Sequence, residues 1–177
     1  MLEGLMALCA LPGISGHEGP VRAYLKEALS PLGLEVFTDP MGNLYAHRPG
    51  PGPRVMVAAH MDEVGLMVRS ITDEGYLKFD TVGHIDRRIL LGKRMLVGPN
   101  LLPAVVGLKA YHLVSRDEEK SVPKLEDYYL DIGAESKEEA GKQVNLGDVA
   151  VFDSPPEIFG GSLLKGRALG GRIGCAV

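Results

Sequence analysis

The spacing of apolar positions changes several times along the chain, and each change marks an element. Leu2, Leu5, Met6 and Cys9 recur at i, i+3, i+4 and i+7, the apolar stripe of a helix. Pro12-Gly13 ends it. Ser15 and Glu18 then form S-x-x-E, a capping box, which predicts a second helix over roughly residues 17–29. Pro31 and Gly33 close that helix. Leu34–Thr38 alternates as a strand, residues 39–43 turn, and Leu44-Tyr45-Ala46 returns as the second arm of a hairpin. The Pro/Gly run at 49–53 is an exposed loop. Val55–Ala59 is apolar at every position and reads as a strand buried on both faces.

Beyond Leu66 the pattern shortens. Strand-like runs recur at Met67–Ile71, Tyr76–Phe79, Arg88–Leu90, Met95–Val97 and Ala104–Val106, with Val149–Phe152 later. Turn residues separate them, which predicts a small β-barrel or β-sandwich. Asp73-Glu74-Gly75 is a hairpin turn, Ser136 is the N-cap of a helix, and the charged stretch Ser115–Lys124 is a solvated loop. From Leu163 small residues return, and Gly170-Gly171 leads into a helix. That helix lacks a C-terminal half here, so the chain reads as part of a larger protein. The expected fold class is α/β. Residues 1–66 and 163–177 form an α/β body, and residues 67–162 form an inserted, small β-barrel-like domain.

Composition narrows the function classes. A formal charge of −4 leaves no basic footprint for nucleic acid. The apolar runs fall short of the ~20 residues that span a membrane, and the N-terminus has no basic segment of a signal peptide. Cys9 and Cys175 lie far apart in apolar contexts, so both are expected as reduced, packed thiols of a cytoplasmic protein.

The candidate chemistry sits at the end of the apolar run, in His60-Met61-Asp62-Glu63. Ligands of open α/β sheets bind beyond the carboxyl ends of the strands. An imidazole followed by two carboxylates there suggests a metal site, with His60 as ligand and Asp62 orienting it or joining it. A histidine satisfied within a turn is the plainer alternative. Glu63 is a further carboxylate that can point elsewhere. His17 reads as a solvent-facing first-turn residue, His47 as surface and His84 as structural. Ser15 and Ser162 lack any nucleophile elbow.

Six segments extend this reading: LPGISGHEGPVR (11–22), DPMGNLYA (39–46), AHMDEVGLMV (59–68), LLGKRMLV (90–97), VPKLEDYYLDIGAESKEEA (122–140) and KGRALGGRIGCAV (165–177). Their order and spacing resemble the metalloaminopeptidases that include the glutamyl and the tetrahedral, TET-type aminopeptidases; some relatives are labelled endoglucanase. The resemblance implies a catalytic α/β body and a β insertion that assists assembly. It implies two divalent ions, zinc or cobalt, that clamp the attacking water and the scissile carbonyl. His60 matches the first metal-binding histidine. Asp62 matches the aspartate that supports this histidine and the catalytic centre. The bridging aspartate of the family motif K-A-L-D-D-R-I-G-C falls on Gly170, and the next aspartate on Gly171, so neither position can ligate. The remaining ligands of the family would lie past Val177.

The resemblance therefore implies an enzyme that hydrolyses N-terminal residues from peptides in its complete form, as a homo-oligomer joined through the β insertion. The 177-residue chain alone is expected to be inactive, with at most one weakly held ion. One alternative is a non-catalytic, truncated relative that acts only through self-association. A weaker one is a glycoside hydrolase, which would need a pair of catalytic carboxylates.

Overall fold

In the region after Glu63, in-out alternation decides the architecture. The structure, a computed structural model, describes residues 1–116 and 120–177. The chain divides into two units: Met1–Glu63 with Pro155–Val177, and Val64–Ser154.

The second unit is a closed barrel of six antiparallel strands. In chain order these are β3 (Gly65–Ile71), β4 (Leu77–Val82), β5 (Arg94–Val97), β6 (Leu102–Gly107), β7 (Tyr129–Asp131) and β8 (Val149–Phe152). They close in the order β3-β4-β7-β6-β5-β8. Leu77 and Phe79 on β4, Met95 and Val97 on β5, and Ala104 and Val106 on β6 all point inward and are buried. Period-two burial of this kind is what fills a small barrel with side chains. The β3–β4 register shifts between Val68 and Ser70, a bulge of the kind that helps a small sheet bend into closure. Gly75, at φ +90, turns the chain between those two strands as expected. Helix α3 (Lys137–Gly141) starts where expected, with Ser136 Oγ accepting the Glu139 N–H at 3.3 Å.

One expectation in this unit is corrected. Arg88–Leu90 is not a strand but part of a 3₁₀ turn, Arg87–Ile89. Asp86 Oδ1 accepts the Arg88 N–H at 3.0 Å and caps it. Strand β7 had no sequence signal, because a three-residue run is too short to show alternation. The charged stretch Ser115–Lys124 lies partly outside the described residues.

The first unit is built from helices α1 (Leu2–Ala10), α2 (Gly19–Leu29) and α4 (Leu169–Ala176) and two hairpins. Strands β1 (Glu35–Thr38) and β2 (Leu44–His47) pair antiparallel in the expected hairpin, with Phe37 stacked on Tyr45 at 5.0 Å. Strands β9 (Glu157–Phe159) and β10 (Leu163–Lys165) form a second hairpin. Residues 155–162 thus cluster with this unit, and the barrel unit begins at Val64 rather than at 67. Helix α1 buries Leu5, Leu8 and Cys9.

The expectation for Val55–Ala59 fails. These residues form no strand, and Val55, Met56 and Val57 are 83%, 86% and 90% exposed. Their apolar pattern is that of a strand flanked on both sides, but among the described residues no neighbouring strand pairs with them. Helix α4 begins at Leu169, so Gly170 and Gly171 lie inside its first turn rather than before it. No described helix is long and apolar enough to cross a membrane.

Candidate functional site

Two distant segments are stitched together to make the site. Ile14 and Glu63 form a parallel bridge, and Glu63 N–H donates to Gly13 O at 2.9 Å. The chain at Ile14 then turns, with His17 N–H donating to Ile14 O at 2.8 Å and Gly16 at φ +85. A positive φ at the third position of such a turn is the type II pattern, which glycine adopts without strain. The turn presents Ser15 to the segment His60–Glu63.

There Ser15 Oγ donates to Asp62 Oδ2, while Asp62 Oδ1 meets His60 Nδ1 at 2.8 Å. Both carboxylate oxygens are engaged. The hydroxyl of Ser15, and then the imidazole of His60, hold the Asp62 carboxyl below the usual carboxylate range. Nδ1 faces a carboxylate, which can only accept, so the geometry favours the neutral tautomer protonated on Nδ1, with Nε2 as an acceptor.

Ser15 is therefore not the helix cap that its S-x-x-E setting predicts. Helix α2 has Glu18 at its N-cap with no side-chain cap, and Glu18 Oε1 accepts the Gly16 N–H at 2.8 Å. His17 and His84 are exposed, and exposed His47 faces Glu35 through Nδ1 at 2.9 Å.

Helix α4 meets the site with its small face. A Cβ on Gly174 would fall 2.9 Å from Ala59 Cβ, and one on Gly171 2.4 Å from His60 Cε1. Cys175 Sγ donates to His60 O at 3.4 Å. The groove in front of His60 is lined by Phe37, Tyr45, Met56 and Cys175 among others.

Glu63 turns away from His60 into a buried ion cluster. Its Oε1 accepts from Gly13 N–H at 3.1 Å and lies 3.5 Å from Arg172 Nη2, while Oε2 lies 3.4 Å from Arg167 Nε. Burial pushes its carboxyl up, opposed by Arg167 and Arg172. Arg172 is fully buried and also donates to Met61 O at 2.7 Å, to Leu11 O at 3.0 Å and to Leu8 O. This arginine ties the end of α1, the His60–Glu63 segment and α4 into one body. Sequence reasoning missed it, since an arginine in a glycine-rich helix start carries no local sign of its partners.

The donor set does not fit a metal pair. Among the described residues no group of three or more His, Cys, Asp and Glu side chains could hold a metal ion. His60 offers one nitrogen, both oxygens of Asp62 are taken, and Gly170 and Gly171 have no side chains.

Against this geometry stand the similarities to known proteins. The sequence description of the M42 glutamyl aminopeptidases matches residues 42–177. A protein of Acetivibrio thermocellus named as an aminopeptidase is 38% identical over 177 residues, covering 100% of this chain and 52% of that protein. The Pyrococcus horikoshii TET1 peptidase, which assembles into a tetrahedron or a large octahedral shell, superposes with a TM-score of 0.86. It is 38% identical, with 98% of this chain and 53% of that chain covered. A Thermotoga maritima structure described as an endoglucanase gives a TM-score of 0.82 at 36% identity, covering 97% of this chain and 51% of that one. The chain spans about half the length of the relatives it matches.

Proposed function

Because this chain belongs to the M42 glutamyl aminopeptidase family, we propose that its complete form is a metal-dependent aminopeptidase that removes N-terminal residues from peptides. The observation that carries this reading is the His60–Asp62 pair, 2.8 Å apart within the matched region. In the complete form His60 is a metal ligand through Nε2. Asp62 holds the imidazole in place at the catalytic centre. The cofactor is a pair of divalent ions, zinc or cobalt, and the protein works as a cytoplasmic homo-oligomer.

On its own, the 177-residue chain is a non-catalytic module. Glycine at 170 and 171 favours this second reading, since a catalytic zinc site usually takes three protein ligands. Here the chain holds at most one ion weakly and acts through self-association of its barrel unit.

The test joins this chain to the C-terminal half of the Acetivibrio thermocellus relative, with and without Gly170→Asp. The repaired fusion should cleave aminoacyl substrates, and the unrepaired fusion and the free chain should not. Elemental analysis of the free chain after dialysis should find less than one divalent ion. Cleavage by the free chain, or equal activity of both fusions, would overturn the reading.

A further inference from the structure

We propose that Ser15 is a positioning residue: by donating its hydroxyl to Asp62 Oδ2 it fixes the carboxylate that keeps His60 in the Nδ1–H tautomer, with Nε2 bare to accept a ligand.

The placement of Ser15 supports this. The Ile14–Glu63 bridge and the Gly13–Glu63 hydrogen bonds hold residues 13–15 beside residues 62–63. The left-handed Gly16 fixes the turn that carries the serine. Ser15 is thus delivered to Asp62 by backbone pairing, across 47 positions of sequence. The hydroxyl is not used to cap α2, which is the local use its sequence setting offers.

The consequence for His60 follows from carboxylate geometry. The terminal torsion of an aspartate is broad. A carboxylate with one free oxygen can rotate and share its other oxygen with water. Holding Oδ2 leaves Oδ1 aimed at Nδ1. The partner of one ring nitrogen decides which nitrogen carries the proton. The chain contains its own comparison. His47 Nδ1 meets Glu35 Oε2 at a similar 2.9 Å, but among the described residues no hydroxyl donates to Glu35. That pair should hold its tautomer less firmly. Only the use to which Nε2 is put rests on the reading of the previous subsection.

The experiment records ring nitrogen shifts of the ¹⁵N-histidine-labelled chain at pH about 8, above the usual imidazole range. His60 should show a protonated Nδ1 and a bare Nε2, more completely than His47. Ser15→Ala should raise the ratio of the Nε2–H form at His60 by about two- to tenfold, the weight of one net hydrogen bond. Ser15→Thr, which keeps the hydroxyl, should restore it, with His47 unchanged throughout. Ser15→Cys keeps the volume with a weak donor, should act like Ser15→Ala, and serves where that variant fails to fold. An unchanged ratio in a folded Ala or Cys variant would overturn the proposal, as would a wild-type His60 protonated on Nε2. An inactive repaired fusion would overturn the aminopeptidase reading and leave this result standing.

Discussion

The imidazole of His60 occupies the space that a side chain at Gly171 would need: a Cβ there would fall 2.4 Å from Cε1 and 2.7 Å from each ring nitrogen. At Gly170 a Cβ meets nothing within 4 Å. Neighbouring glycines of one helical turn therefore differ in kind.

Gly171→Ala should displace the ring rather than unfold the chain, because the His60 side chain is 66% exposed and free to swing. The His60–Asp62 bond should be lost. Gly170→Ala should leave it intact and stabilise α4 by a few tenths to about 1 kcal/mol. Ring nitrogen shifts of His60 and urea midpoints of both variants check this. An undisturbed His60 in Gly171→Ala would refute it.

Arg172→Met should be among the costliest single changes. It strips the carbonyls of Leu8, Leu11 and Met61 of a donor and takes one cation from buried Glu63. Breaking a buried ion pair from one side costs about 3–5 kcal/mol. Denaturant unfolding should show a loss of that order for the first unit. A loss below about 1 kcal/mol would mean that Glu63 is balanced by Arg167 alone.

Asp86 gives a pH signature to the barrel unit. Hydrogen bonds from Arg88 lower its carboxyl from the ordinary 3.8 to about 2. A folded value below the unfolded one means that the carboxylate stabilises the turn above pH 3.8, and that this is lost as pH falls through about 2. Carboxyl carbon shifts should titrate Asp86 near pH 2, and Asp86→Asn should remove that step. A midpoint near 3.8 would show that the Asp86–Arg88 contact does not form in solution.

Self-association is expected of the barrel unit. Ile89, Leu91, Val105 and Leu146 leave apolar surface exposed on it. Light scattering should give a mass above the monomer that rises with concentration in the micromolar range. A monomer at every concentration would remove the assembly role from the proposed function.

What was legible in the chain was local. Leu5 and Cys9 announced α1 by spacing, residues 39–43 announced the first hairpin by turn chemistry, and Met95 with Val97 announced a barrel strand by alternation. His60 and Asp62 stood out because an imidazole and a carboxylate two apart have no packing use. Ser15 was misread because S-x-x-E has a sufficient local meaning, whereas its partner lies 47 residues away. The reach of Arg172 to Leu8, across 164 residues, has no sequence signature at all. Val55–Ala59 was misread for the opposite reason. Its composition is that of a central strand, but a strand exists only with neighbours, and none is present among the described residues.

The closure of α1 by Arg172 sets an order of events on the ribosome. The barrel unit is one continuous stretch, so every residue it needs has been made once Ser154 is added. The first unit is written in two instalments. The carbonyl of Leu8, near the end of helix α1, waits more than a hundred and fifty residues for the guanidinium that bonds it. The last residue of the barrel therefore leaves the ribosome before Arg172 does, and until then the carbonyls of Leu8 and Leu11 lack its guanidinium. Throughout that interval the end of this helix is open to chaperones and proteases.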